Sequence, residues 1–499
     1  MELKFRREPL QWLQKVVCQV QSREQTQELK LSDGMPDIGR VLGAWGQPVI
    51  RSKEWRSDGF SVSGGTMVWV MYAPEDGTQI RSVSGWVPWQ LDWDLPAGTP
   101  DGQIRAAVRQ RFVDARSVSP RKLMIRNGVS VLGEGLVMTQ ASSWKPEAMP
   151  EDVQLLETTY PVGLSVEAGE KFFQLDEELI LPQSCPAAAK LMACRLTPEI
   201  TESRILGSRL LFRGNANLHT VYVNEAGQLF NWDFPVSLSQ YTDLAGDRSQ
   251  DARAALWVVP TELELNLEDD GHFRLKCGLL AQYEVEDVTM LGMVEDAYSL
   301  SRELQLSTEE QTLTPVLEKQ SLNLPVEQTV PQEADMIADV CFLPDFPRQR
   351  QREDHVELEL PGMLQVLYYS PEGVLQVSNA RWEGRMEVAS HSDSVLSPVP
   401  VYGKDPEAQI TVEGIRIKGQ LPLDITTCAM QTFSPVTEIR TGEPREPETD
   451  RPSLILCRAG EKSLWQLARE NGSTVQAIRQ ASGLEGEPEA GRMLLIPVM

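Results

Sequence analysis

An apolar run that ends in tyrosine and then turns occurs three times in this chain, about 150 residues apart. The copies read Val68-Trp69-Val70-Met71-Tyr72-Ala73-Pro74-Glu75-Asp76-Gly77, Leu218-His219-Thr220-Val221-Tyr222-Val223-Asn224-Glu225-Ala226-Gly227 and Gln365-Val366-Leu367-Tyr368-Tyr369-Ser370-Pro371-Glu372-Gly373. Glycine follows each aligned tyrosine (72, 222 and 368) by five residues, so each copy spells strand, turn, strand. Other features keep step: Pro36 lies 36 residues before Tyr72, and Pro186 lies 36 before Tyr222. Asp37-Ile38-Gly39-Arg40-Val41 aligns with Ala187-Ala188-Ala189-Lys190-Leu191 and with Met336-Ile337-Ala338-Asp339-Val340. The apolar i, i+3 pair in each predicts one short helical turn. Pro120, Pro260 and Pro406 precede strand pairs over 123–137, 263–280 and 410–423, with turns predicted at Asn127-Gly128, Asp270-Gly271 and Glu413-Gly414. A period this long exceeds that of a solenoid and predicts three copies of one domain.

Each copy reads as β-rich and sandwich-like. The run Met67 to Tyr72 is apolar on both faces and suits a central strand. Around 410–418, Ile410, Val412, Ile415 and Ile417 are predicted inward and Thr411, Glu413, Arg416 and Lys418 outward. Trp86, Trp89 and Trp93 follow the first hairpin. They fit core or inter-sheet packing, with a stacking platform for sugar as the alternative. The expected division is 1–155, 156–305 and 306–440 for the three copies, 441–452 for a Pro- and charge-rich linker, and 453–499 for a small α+β module.

That last module is the most specific segment. Leu454-Ile455-Leu456-Cys457 reads as a strand. Ser463-Leu464-Trp465-Gln466-Leu467-Ala468-Arg469 reads as a helix opened by a Ser463/Gln466 capping box and stopped at Asn471-Gly472. Ser473 with Gln476 repeats the box and opens a second helix carrying Val475 and Ile478. A loop with Gly483, Gly486 and Gly491 leads to the strand Met493-Leu494-Leu495-Ile496-Pro497. The order is βααβ.

The Gly-x-x-Ser-Leu-Trp-x-Leu-Ala stretch, Thr474-Val475-x-x-Ile478 and the Gly491-x-x-Leu494-x-Ile496-Pro497 ending resemble a LysM domain. The usual Gly-Asp-Thr or Gly-Asp-Ser is here Gly460-Glu461-Lys462-Ser463, one residue longer. The resemblance implies a groove between the first strand–helix loop and the second helix–strand loop. Gly460, Glu461, Lys462, Ser463 and Trp465 stand on one side and Gly483, Leu484 and Gly486 on the other. In that family the groove takes an N-acetyl sugar. Here Glu461, Glu485, Glu487 and Glu489 give an acidic rim, which favours a protein surface over neutral glycan. With Met35-Pro36-Asp37-Ile38-x-x-Val41 and the tyrosine hairpins, the whole resembles the SPOCS-domain proteins of spore-forming Firmicutes that carry a C-terminal LysM. That resemblance implies a non-enzymatic scaffold of spore-coat assembly in the mother-cell cytoplasm at the forespore surface. Its tail would dock a spore-coat morphogenetic protein, the coat-basement ATPase. Self-association is a further expected contact, and a peptidoglycan-binding envelope protein is the alternative.

Composition agrees with this class. The net charge of −25, from 47 basic and 72 acidic residues, argues against nucleic acid and anionic membrane as partners. Seven scattered cysteines without Cys-x-x-Cys spacing suggest neither a disulfide framework nor zinc, and point to a reducing compartment. The charged N-terminal stretch lacks an apolar segment of signal-peptide length, and no run is long enough to span a membrane. The four histidines (His219, His272, His355 and His391) have no metal spacing. No nucleophile elbow or phosphate loop occurs. Arg348-Gln349-Arg350-Gln351-Arg352 reads as a solvated loop. No catalytic residue, metal or cofactor is expected.

Overall fold

The structure, a computed structural model, describes residues 2–3, 5–147, 149–269, 271–353, 355–389, 394–400, 405–445, 452–460 and 462–499. It is mainly β, with antiparallel sheets and two short helices near the C-terminus. After β1 (Glu2–Leu3), a first block comprises β2 (Phe5–Lys30), β3 (Ile38–Trp55), β4 (Gly59–Pro74), β5 (Arg81–Asp94), β6 (Gln103–Ser119) and β7 (Lys122–Pro146). It forms two three-stranded sheets, β3-β4-β5 and β2-β7-β6. Their inner faces share a core in which Phe60, Val62 and Trp93 of one sheet meet Ala106, Val129 and Val131 of the other. Trp93 stacks on Phe60 at 5.0 Å and its indole N–H donates to the Gln19 carbonyl. Trp89 is also buried, so both follow the packing expectation. Trp86 instead lies on the surface beneath the Arg51 guanidinium.

The pairing order recurs twice more. The second block runs β8 (Val153–Leu179), β9 (Lys190–Leu206), β10 (Arg209–Val223), β11 (Leu229–Asp243), β12 (Arg253–Leu267) and β13 (Phe273–Ser299), with sheets β9-β10-β11 and β8-β13-β12. The third is more broken: β14 (Arg302–Thr308), β15 (Gln311–Leu313), β16 (Val316–Val330), β17 (Met336–Pro344), β18 (Arg348–Gln351), β19 (His355–Tyr369), β20 (Leu375–Ala389), β21 (Ser394–Pro400), β22 (Glu407–Thr411), β23 (Gly414–Ala429), β24 (Gln431–Phe433) and β25 (Val436–Pro444). Here β17-β19-β20 is the meander, and β23 pairs with β16 on one side and with β21 and β22 on the other.

The tyrosine that marks each copy does the same work in all three. Tyr72 donates to the Pro36 carbonyl at 3.0 Å, Tyr222 to the Pro186 carbonyl at 3.1 Å and Tyr368 to the Gln332 side chain at 3.2 Å. Each buried phenol thus pins the segment entering its block, and burial pushes all three phenols up from their ordinary pKa. The glycine five residues on has positive φ (71°, 80° and 73°), which closes the hairpin without a Cβ clash.

Several local expectations are corrected. The three predicted helical turns are not helical: 38–41 and 336–340 lie within β3 and β17, and 187–191 leads into β9. Val41, Leu191 and Ile337 lie opposite the three tyrosines, so sheet pairing overrides the i, i+3 pattern and shifts the third alignment by three residues. Asn127-Gly128 is no turn: it lies inside β7, with Asn127 bonded to Thr66 and Gln110 and Phe112 covering Gly128. The chain turns at Pro120-Arg121 instead. The other two turns form at Gly271 and beside Gly414, although Asp270 itself lies outside the described residues. Ile415 and Ile417 are buried, but Ile410 and Val412 are exposed because β22 is a short edge strand. The basic run 348–351 is an exposed strand paired with β19. The expected linker begins as strand, since β25 extends to Pro444. The remainder of that linker, 446–451, lies outside the described residues.

The blocks close on one another cyclically. β5 meets β9, β11 meets β17 and β20 meets β3, so each block's last meander strand touches the first meander strand of the next, and the third returns to the first. The contacts repeat: Ser82 donates to the Met192 carbonyl and Asn231 to the Ala338 carbonyl, while Val377 packs at Gly43 in the third junction. Pro48, Pro198 and Pro344, each 24 residues before its tyrosine, line one small central cavity of about 90 Å³. One apolar core draws residues from all three blocks, including Trp45 and Met71, Phe212 and Tyr222, and Leu367 and Leu375.

Long ribbons extend from the blocks and pack together. β2 pairs with β7, β8 with β13, and the series β14, β15 and β16 with β25, β24 and β23. Their side chains build two shared clusters, one around Trp12, Leu164, Leu291 and Leu313 and another around Val153, Val294, Val436 and Ile439. β1 pairs with β25, which ties the start of the chain to the third block. Where ribbons and blocks meet, buried Glu134 and Glu284 are neutralised by Arg105 and Lys15. Burial disfavours both charged forms, yet the opposite charges prevail: Lys15 is held above its usual pKa and Glu284 below.

Candidate functional site

The C-terminal module folds in the predicted order, β26 (Leu454–Arg458), α1 (Leu464–Glu470), α2 (Val475–Ser482) and β27 (Met493–Pro497). The Ser463 hydroxyl accepts from the Gln466 amide and the Gln466 side chain accepts from the Ser463 amide, so the capping box forms. The second cap is Thr474, not Ser473: Thr474 accepts from the Ala477 amide, while Ser473 is wholly buried. Gly483 ends α2 at φ 60°. Leu464, Leu467, Ala468, Ile478, Leu494 and Ile496 form the module's core.

The two loops named from sequence do lie together. Gly491 donates to the Ala459 carbonyl at 2.8 Å and the Leu464 amide donates to the Glu487 carboxylate at 3.3 Å. Gly460, Lys462 and Ser463 therefore stand on one lip and Gly483, Leu484 and Gly486 on the loop that holds the other. Glu461 lies outside the described residues. Gly460 and Gly486 face open space. Lys462 is drawn to Glu470 at 2.7 Å and Arg479 approaches Glu487 at 3.9 Å, so part of the rim's charge is satisfied internally. Leu484 packs partly into the module core.

Trp465 departs from the expected groove. Its indole N–H donates to the Asp296 carboxylate at 2.8 Å, and its ring meets Tyr298 edge-on at 4.8 Å. Arg469 pairs with the same carboxylate at 2.6 Å, and the Tyr298 hydroxyl donates to the Ser473 carbonyl at 2.8 Å. Burial, with Asp296 nearby, pushes the Tyr298 phenol up to about 12. Trp465 is thus the peg that fixes the module to the tip of the second ribbon. Sequence reasoning missed Asp296 and Tyr298 as its receptor, because nothing local in Asp296-Ala297-Tyr298 announces a partner 169 residues away.

The densest ionisable cluster lies at the junction of the second and third blocks. His219 sits between Asp233 at 2.6 Å and Asp339 at 2.9 Å, and Arg195 reaches Asp339 and Asp405. Burial and Arg195 oppose protonation of His219, but the two carboxylates outweigh them and raise its pKa to about 9. These groups answer one another's charge across the joint between the blocks. Among the described residues, no group of His, Cys, Asp and Glu is placed to hold a metal, and no helix is long and apolar enough to cross a membrane. No protein-family model, curated protein or solved structure matches the chain.

Proposed function

We propose that this protein is a non-enzymatic scaffold of spore-coat assembly, that its three blocks are tandem SPOCS-like domains, and that its tail is a LysM-type module docking a coat protein at the forespore surface. The observation that carries the reading is the clamp of Trp465, Arg469 and Tyr298. It holds the module on the body and engages Trp465, the aromatic residue expected in the groove. The lips that remain are edged by the exposed Lys462–Glu470 and Arg479–Glu487 pairs, charges of both signs that suit a protein surface. A module held beside a large body turns weak contacts into avid ones when several copies meet one assembled layer.

The intact chain, incubated separately with purified peptidoglycan and with extracted spore-coat proteins, tests this. Retention by coat proteins, weakened in Lys462→Glu, is the expected outcome. Retention on glycan that chito-oligosaccharide competes away would instead establish the peptidoglycan-binding reading.

A further inference from the structure

The three junctions of the ring are related by the same strand pairing but filled differently. The residue three before each marker tyrosine reaches the next block. Trp69 joins the apolar core with Leu196, His219 pairs with Asp339, and Gln365 donates to the Ala44 carbonyl. One strand further out, Trp86 stands opposite Met67 and covers Gly65, whereas Arg381 occupies the equivalent place opposite Met363. The junction of the third and first blocks therefore lacks both indoles. A cleft of about 650 Å³ opens there, in the size range of about 300–1,000 Å³ typical of ligand sites.

Its lining is mixed: partly exposed Phe112, Leu343 and Met363 give an apolar patch over the buried Trp45 and Trp382, and charged side chains surround it. Most of its charges are answered within the fold: Arg111 by Asp345, Arg126 by Glu24 and Glu383 by Arg385. Arg381 and Asp114, one of each sign, have no ion pair or hydrogen bond among the described residues and are exposed on its border. An apolar patch bordered by a cation and an anion whose side chains are unpaired among the described residues fits a chain that offers a large apolar side chain flanked by charges of both signs. We propose that this cleft is a peptide-binding site, and that it takes an extended segment of a partner protein. An apolar anchor seats against Phe112, Leu343 and Met363, a carboxylate pairs with Arg381 and a basic group pairs with Asp114. The site is separate from the tail lips and stands whether or not those dock a coat protein.

Panning a displayed library of random peptides against the intact protein tests the site, with the enriched peptides synthesised, labelled and titrated by fluorescence anisotropy. The expected sequences carry an apolar anchor between an acidic and a basic residue. Arg381→Trp, which installs the residue found at the equivalent place in the first block, is expected to weaken binding about tenfold or more. Asp114→Asn weakens it as well, and Lys462→Glu leaves it unchanged. Both cleft residues are exposed, so thermal unfolding of the variants matches the parent. Failure to enrich any peptide, or equal affinity in Arg381→Trp and Asp114→Asn, overturns the proposal. Loss of binding in Lys462→Glu alone would assign the peptides to the tail and overturn it equally.

Discussion

His219 shows how one position acquires its role from its neighbours. Three equivalent strand positions hold Trp69, His219 and Gln365, and only the histidine faces two carboxylates. Its pKa is raised to about 9, so its stabilisation is fully present below about 6.5 and is lost as pH climbs through 9. That predicts a melting temperature that falls between neutral pH and pH 10 more steeply in the parent than in His219→Gln. The difference corresponds to about 3 kcal/mol for a shift of this size. The marker tyrosines permit a second measurement. Tyr222→Phe removes a buried hydrogen bond to Pro186 and should lower stability by about 1 kcal/mol in urea titrations, with the same sign for Tyr72→Phe. Glu284→Gln should do more harm, about 3–5 kcal/mol, because it leaves Arg105 and Lys15 short of a buried counter-charge.

At the scale of elements, the ribbons and the tail module carry the argument. The hairpins within the blocks were partly legible: alternating runs and turn residues point to strands, and Gly271 and Gly414 fall at the real turns of β12–β13 and β22–β23, whereas the ribbon pairings were not. Asn127-Gly128 misled because a turn dipeptide can also be buried beneath Phe112 inside a strand, here opposite a bulge in the neighbouring β6. The tail's βααβ order was legible, since caps and glycines are local signals, although the second cap is Thr474 rather than Ser473. Its attachment was not. Asp296→Ala removes the acceptor shared by Trp465 and Arg469. Hydrogen exchange should then quicken in α1 and at the end of β13, while α2, β26, β27 and the rest of the three blocks keep their protection.

Across the whole molecule, the repeats pack as a closed cycle rather than as beads. A long period predicted copies that bury their own cores, and each does so in part, yet the largest cluster spans all three. The first-to-second and second-to-third junctions are joined by short peptide connections, while the third-to-first junction is closed, among the described residues, by side chains and by β1 on β25. Unequal fillings, indole, imidazolium and amide, distinguish the junctions and favour one order of closure over exchange between chains. A chain ending after residue 300 would expose Ala338-facing Asn231 and the apolar surface around Met71 and Phe212 that Leu367 and Leu375 cover. Such a truncation should bind a hydrophobic dye and associate, whereas the full chain should not.

Local chemistry alone determined the β character, the hairpin at each marker tyrosine and the caps of the two tail helices. Those features depend on alternation, turn glycines and side-chain-to-backbone bonds within a few residues. Which faces met was decided only in three dimensions. Trp465 turning to Asp296, the three prolines converging on one axis and Arg381 standing where the first block has an indole all follow from packing between segments far apart in the chain. Spacing within a segment carries no record of such long-range contacts, because many sequences with the same local pattern could bury a different face.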